Sequence, residues 1–267
     1  MSKTTPVRSL AADAEQMGAR AARHFERVFR TLATPQGGEA NADWFRWITG
    51  EPHPLGNMVV LSGPSDADTV QTALAPLADG RLPAATLFPG GMGPEARDAL
   101  LAAGFVAAGS MPAMAVDIAS LAATALPAGY RLTRVLAEPH DDAWARTLAV
   151  GYGLPVGLTQ RLSPAAVRAD AAEDAQTQFF AVVHEDRIVG TSMLFLDDGV
   201  AGIYSVATLA EHRGRGIGAH LTAEPLRIAQ QQGYRVGVLQ SSPMGHAVYR
   251  GLGFADVGNV PMFVRAA

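Results

Sequence analysis

Apolar residues at Leu10, Met17, Ala21, Phe25, Val28 and Leu32 follow helical spacing, with Asp13, Arg20, Arg23, Glu26 and Arg27 on the other faces. The pattern predicts an amphipathic first helix. Arginine and alanine alone would suit a transit peptide, but Asp13, Glu15 and Glu26 weigh against one. Thr34 to Ala42 is a polar loop. Trp44-Phe-Arg-Trp-Ile48 is an aromatic cluster, better suited to core packing than to stacking a ligand. Apolar runs at Asn57–Ser62, Leu82–Phe88 and Pro112–Ile118 predict strands. Between them, 66–77 predicts a helix capped by Ser65 or Asp66. A second helix, 94–103, has Pro94 at its start and Gly104 after its end. Leu121–Gly129 carries no charge and holds Pro127 and Gly129, so it is the candidate boundary between domains 1–125 and 126–267.

A second series starts at Tyr130. Tyr130–Val135 alternates as a strand, Asp141–Val150 is helical, and Gly151-Tyr-Gly-Leu-Pro155 is a turn-rich loop. Ser163 and Pro164 start a helix reaching about Ala175. Gln178–His184 and Ile188–Leu196 form a hairpin through Glu185-Asp-Arg-Ile188, and Asp197-Asp-Gly199 turns into a strand that ends at Leu209. His220–Gln232 is helical and ends at Gly233, Arg235–Gln240 is a strand, and Gly245–Leu252 is a short helix. Phe254–Val257 and Pro261–Val264 predict a closing hairpin around Gly258-Asn259. Strand, helix, strand, helix, strand thus occurs at 57–118 and again at 203–264. Ala99-Leu-Leu-Ala-Ala-Gly-Phe105 also parallels Val248-Tyr-Arg-Gly-Leu-Gly-Phe254. The parallel implies a divergent internal duplication with a period far longer than that of a solenoid repeat.

Composition narrows the class. A chain of 267 residues has room for two domains of about 130 residues. Its residues are 48% hydrophobic and 17% charged, enough for a sizeable core. A net charge of −4 argues against a nucleic-acid binder working through a general basic surface. The absence of cysteine removes disulfides, thiolate metal sites and a cysteine nucleophile. The first thirty residues lack a secretory pattern. Ala99–Val116 is uncharged, but Gly104, Gly109, Ser110 and Pro112 break it as a membrane span. A cytoplasmic protein, monomeric or homodimeric, is the expectation.

Chemistry concentrates in Glu211-His-Arg-Gly-Arg-Gly-Ile-Gly-Ala-His220, which follows an apolar strand and opens a helix. Glycines let backbone approach an anion closely. First-turn N–H groups have no intrahelical partner, and the helix dipole favours negative charge there. Arg213 and Arg215 add positive charge and forked donors. The spacing is G-x-G-x-G, unlike a dinucleotide fingerprint, and no Lys-Ser/Thr follows as in a P-loop. Phe88-Pro-Gly-Gly-Met-Gly93 is also rich in glycine, but it holds no Arg or Lys and reads as a turn.

These residues resemble the GCN5-related N-acetyltransferase (GNAT) superfamily. Arg213-Gly-Arg-Gly-Ile-Gly218 is similar to its Arg/Gln-x-x-Gly-x-Gly/Ala acyl-CoA signature. Tyr249-Arg-Gly-Leu-Gly-Phe254 resembles its Tyr-x-x-Leu-Gly-Phe segment, and Ile203–Leu209 its central fourth strand. The resemblance covers 129–267. It implies an α/β (α+β) GNAT fold, a mixed and largely antiparallel sheet flanked by helices, in two tandem copies. It also implies acetyl-CoA as cosubstrate, no metal, and direct acetyl transfer to a primary amine on a small molecule or peptide. In that reading Arg213, Gly214, Arg215, Gly216, Ile217, Gly218 and Ala219 hold the pyrophosphate. Val206, Ala207 and Thr208 line the pantetheine arm, the Val206 N–H polarises the thioester carbonyl, and Tyr249 is the general acid. Membrane and nucleic-acid partners are not implied.

The chain departs from the family in places. The Asn common near the start of the tyrosine-bearing helix is replaced by Ser241-Ser-Pro-Met-Gly-His246, so Ser241 or Ser242 takes cofactor contacts or caps the helix. No general base stands out among Glu211, His212, His184 and Glu185. Tyr152 sits where family members line the acceptor site, with a core role as the alternative. Met193 and Met244 would permit a roomier acyl pocket. The first half lacks the phosphate signature and resembles a degenerate copy that helps to shape the acceptor pocket. A non-catalytic acyl-CoA-binding or regulatory module is the competing function.

Overall fold

The computed structural model describes residues 14–136, 141–167 and 175–267. The first helix, α1 (Ala14–Ala33), buries Met17, Ala21, Phe25, Val28 and Leu32, as its apolar stripe predicts; Leu10 lies outside the described residues. Strands β1 (Glu39–Ala40), β2 (Trp44–Ile48) and β3 (Asn57–Leu61) follow. Trp44, Phe45 and Trp47 are buried, so the aromatic cluster is core. Helix α2 (Ala67–Leu74) is capped by Asp66, whose carboxylate accepts the Thr69 N–H at 2.8 Å. Then come β4 (Ala84–Leu87), α3 (Pro94–Ala102) and β5 (Val106–Asp117). The second half comprises β6 (Tyr130–Val135), α4 (Asp141–Tyr152), α5 (Val156–Gln160), β7 (Thr177–His184), β8 (Arg187–Asp197) and β9 (Val200–Thr208). It ends with α6 (Ile217–Gln231), β10 (Val236–Gln240), α7 (His246–Leu252) and β11 (Ala255–Arg265). None of the described helices is long and apolar enough to cross a membrane.

All eleven strands join one sheet in the order β1-β2-β3-β4-β11-β5-β10-β9-β8-β7-β6. The repeated skeleton is β3-α2-β4-α3-β5 and β9-α6-β10-α7-β11, and in each repeat the first two strands run parallel. The last strands cross over. β5 pairs antiparallel with β10 of the second half, and β11 pairs antiparallel with β4 of the first. β5 and β11 also pair with each other at the centre. Each half therefore supplies the strand that completes the other half's sheet, so the backbone groups on that edge of β4 and of β10 find partners. The connecting segment lies against α6, where Arg227 donates to the Ala122 carbonyl at 2.7 Å and Thr124 Oγ1 meets His220 Nδ1 at 3.1 Å.

Three expectations need correction. The closing hairpin around Gly258-Asn259 does not form, because β11 is one strand of 11 residues. Gly258 stays extended at a bulge against β5, where pairing with Ala113 replaces a turn. Strand β5 begins at Val106 rather than Pro112; its first part is exposed and rich in small residues, yet β11 pairs with it. The helix expected from Ser163 is only a turn through 167, and 168–174 lie outside the described residues. A short helix, α5, precedes it, and α4 runs on through Tyr152 into the expected loop.

Helix α1 crosses the centre of the sheet with Gly18 against β11. A Cβ at Gly18 would lie 2.3 Å from the Val257 carbonyl oxygen. Gly18→Ala should destabilise the fold by about 1–3 kcal/mol, since overpacking against backbone outweighs the helix-propensity gain of about 1 kcal/mol. Gly251, in α7, has open space around its Cβ position. Gly251→Ala should therefore be neutral or stabilising by up to about 1 kcal/mol. Urea midpoints of the two variants check this, and equal shifts would contradict the packing of α1 on β11.

Candidate active site

A forked sheet opens the site. Strands β9 and β10 pair only from Val200 to Gly202 and from Val236 to Val238. Past that point β9 stays on β8, while Leu239 and Gln240 stay on β5. A bulge bends β9 where they part. Ser205 takes a left-handed φ of 54°, the pairing with β8 shifts register between Thr191 and Met193, and the Thr191 hydroxyl donates to the Ser205 carbonyl at 2.9 Å. The fork holds a cleft of about 760 Å³, lined by Val206, Ala207 and Thr208 on one side and by Gln240, Ser242 and Tyr249 on the other.

The matching place in the first half is closed. β3 and β4 pair over Met58–Val60 and Ala85–Leu87. The Phe88 N–H then bonds the Pro261 carbonyl at 3.1 Å. A Cβ at Gly90 would lie 2.1 Å from the Ser62 carbonyl oxygen. The glycine-rich turn 88–93 thus packs against the loop that follows β3.

The arginine–glycine loop lies at the open end of the fork. Gly214 and Gly216 have φ of 73° and 76°, a left-handed region that costs glycine little. Gly216 is the residue before α6, and no side chain caps that helix, so its first-turn N–H groups remain for a ligand. His212, Arg213, Gly214, Gly216, Ile217, Gly218 and Ala219 line the cleft. The two arginines differ. Arg213 donates through Nε to the Thr208 carbonyl at 3.0 Å and through Nη2 to the Gly151 carbonyl at 3.3 Å, tying the end of β9 to the end of α4. Arg215 is exposed, lies outside the lining, and makes no ion pair or hydrogen bond among the described residues.

Tyr249 is 9% exposed and faces the cleft from α7. Burial raises its phenol pKa well above the ordinary tyrosine value. The neighbouring Tyr152 adds to the rise, and the Thr222 hydroxyl partly offsets it. Tyr249 therefore keeps its proton across the neutral range. Its ring lies over Gly245, where a Cβ would come within 2.8 Å of Cε2. Tyr152 reaches the cleft from the end of α4, and burial of its surroundings pushes its phenol up to about 12. Its side chain is half exposed, so solvent softens that push. A Cβ at Gly151 would lie 2.6 Å from that of Ala207, so glycine there lets α4 sit against β9.

The other candidates separate cleanly. Ser242 Oγ accepts the Gly245 N–H at 3.2 Å and lines the cleft, whereas Ser241 is buried outside the lining. Of Glu211, His212, His184 and Glu185, none of which stood out as a base, only His212 lines the cleft, and its Nδ1 meets the Tyr130 hydroxyl at 2.9 Å. His184 stacks on Tyr130 at 4.1 Å, away from the lining, and Glu185 and Glu211 are exposed. Met244 lines the cleft, while Met193 is buried in the core. Sequence reasoning passed over Gly151, Gly245 and Gln240. The glycines matter only through packing. Gln240 left one signal, a polar residue closing the apolar run Val236–Leu239. Its Oε1 and Nε2 are both enclosed without a protein partner, a state costing about 1–3 kcal/mol for each unpaired group.

Residues 152–254 match the acetyltransferase (GNAT) family. Among solved structures, a GCN5-related N-acetyltransferase from Kribbella flavida is similar at a TM-score of 0.66 and 18% identity, covering 94% of this chain and 96% of its own. One from Sphaerobacter thermophilus gives 0.63 and 16%, covering 97% and 93%. A tandem GNAT protein from the clavulanic acid biosynthesis pathway gives 0.54 and 12%, covering 92% and 94%. At these identities the likeness is one of fold. No curated protein matches the sequence.

Because burial raises the Tyr249 phenol, it should ionise above the ordinary value of about 10. Ultraviolet titration, subtracting Tyr249→Phe from the wild type, checks this. A phenol titrating at or below the ordinary value would mean that the ring is solvated in solution.

Proposed function

From the acetyltransferase (GNAT) domain that the chain carries over residues 152–254, we infer that it is an acetyl-CoA-dependent N-acetyltransferase acting on a primary amine. The observation that carries this reading is the fork between β9 and β10, with the glycine loop at its open end and Tyr249 within it. Coenzyme A needs N–H donors and positive charge for its pyrophosphate, and the start of α6 with Arg215 supplies both. The edge of β9 beyond Gly202, which β10 leaves unpaired, suits the amides of a pantetheine arm along Val206–Thr208. The Val206 N–H is then the donor for the thioester oxygen as it gains charge.

The neutral amine attacks the thioester carbon, the C–S bond breaks, and the nitrogen gives a proton to solvent. The departing sulfur takes a hydrogen bond or proton from Tyr249. Burial makes that phenol a weaker acid, but the same burial disfavours the thiolate, so the two stay within range of each other. Arg213 acts as a strut that holds β9 and α4 together, leaving the exposed Arg215 as the cation for the phosphates.

We read 1–125 as a degenerate GNAT-like domain without a cofactor and 126–267 as the catalytic one. The contact of Gly90 with the Ser62 carbonyl, at the place where the second half holds its cleft, supports this. Calorimetry should give one acetyl-CoA per chain, and a stoichiometry of two would overturn the division. Gly216→Glu places a carboxylate at the uncapped helix start, in a backbone conformation that suits glycine. It should weaken acetyl-CoA binding at least 100-fold, and unchanged affinity would refute the site.

Tyr249→Phe should lower kcat by about 10²–10⁴ while leaving acetyl-CoA affinity within about twofold. An unaffected rate would remove the phenol from the chemistry. Acetyl-CoA binding without thiol release across amino acids, amino-acid amides, polyamines, aminoglycosides and peptides would favour a non-catalytic module.

A further inference from the structure

We propose that Gln240 is the residue that positions the acceptor, and that the acceptor is an amine on an apolar body with a hydrogen-bonding oxygen close to its nitrogen. This rests on the acetyltransferase reading above. Gln240 lies just past the last β9–β10 pair, Gly202 with Val238, and so stands near the closed end of the fork. The glycine loop stands at the open end, beyond Thr208. A cofactor anchored by its phosphates at that loop would bring its acyl end toward Gln240, Val206 and Tyr249. Gln240 lines that part of the cleft, and its side-chain donor and acceptor are both enclosed with no protein partner. Buried amides in folded proteins are normally satisfied on both ends. An amine N–H reaching Oε1, with a neighbouring carbonyl or hydroxyl oxygen accepting from Nε2, satisfies both at once.

The rest of the lining says what else the acceptor carries. No carboxylate lines the cleft among the described residues, and its one permanently charged side chain is Arg213. A polycation would find nothing to offset its charges, and desolvating them without partners is costly. Tyr152, Met244 and Val248 line the same cleft and are among the large apolar side chains that the chain leaves exposed. They offer contact to an aromatic or aliphatic body rather than to a chain of ammonium groups.

Steady-state thiol release with three probes tests this. Phenylalaninamide has an apolar body and an oxygen beside its amine, phenethylamine lacks the oxygen, and spermidine is a polycation. The expected order of kcat/KM is phenylalaninamide first, phenethylamine about tenfold lower, and spermidine lower still. Gln240→Leu should raise KM for phenylalaninamide at least tenfold, change kcat much less, and erase its advantage over phenethylamine. Acetyl-CoA affinity by calorimetry should stay within twofold, which also reports that the fold is intact.

Gln240→Glu keeps the shape and one acceptor, and should move the preference toward spermidine. A tripeptide beginning with phenylalanine, used at the same concentrations, separates a peptide source of the shared chemistry from a free small molecule. Wild-type preference for spermidine, or an unchanged phenylalaninamide KM in both Gln240 variants, would overturn the proposal while leaving the transferase reading in place. Failure of the wild type to bind acetyl-CoA would overturn that reading itself.

Discussion

Where two parallel strands part, the backbone groups facing the gap are left for water or a ligand, and each strand keeps its place only through the neighbour on its other side. This requirement governs the molecule. Beyond Gly202, β9 is held by β8. Beyond Val238, β10 is held by β5, which belongs to the first half of the chain. The cleft therefore depends on a strand that lies far from it in sequence. Without β5, Leu239 and Gln240 would lose their ladder partners, and that wall of the fork would have no fixed position. The first half contributes in this way even though its own version of the site is closed.

The second layer of control is the placement of small residues. Gly151 lets α4 approach Ala207, and Gly245 lets the Tyr249 ring lie over the start of α7. Gly190 sits under Ile217 and Leu221, where a Cβ would come 2.8 Å from a Leu221 methyl, so β8 and α6 pack closely behind the cleft. Arg213 then clamps the top by holding carbonyls of β9 and α4 together. The cleft walls come from three separate chain segments, and close contacts of this kind fix their spacing. Deeper in, His24 on α1 meets the Tyr204 hydroxyl at 2.8 Å just before the Ser205 bulge. Burial lowers the pKa of that histidine to about 4, so it stays neutral and braces the bend without adding charge.

Local patterns in the sequence carried much of this fold. Alternation and capping residues located α1, α2, α3 and most strands, and the repeated strand–helix skeleton appeared at the expected places. The arginine–glycine loop and Tyr249 stand out in the sequence as local motifs, and the structure brings both to one cleft. The misreadings share one cause. Gly258-Asn259 looks like a turn, and the predicted strand starts only at Pro112, until each strand is seen to be the partner of the other. Gly151, Gly245 and Gln240 were silent for a related reason, since their importance depends on what packs beside them. Arg213 was legible as a cation, but its commitment to two carbonyls was not.

The difference between the halves follows from the same backbone accounting. β3 and β4 occupy positions equivalent to β9 and β10, and β4 has its crossing partner in β11. A partner on the far side permits a fork but does not create one. In the second half, the left-handed Ser205 and its register shift bend β9 away. In the first half β3 pairs without a register shift on both sides, and the chain after β4 folds back so that Gly90 touches the Ser62 carbonyl. One bulge and one loop thus separate a sheet that opens from a sheet that stays shut. The same topology thus accommodates one copy whose loop closes on the strand end and one whose strand edge stays open.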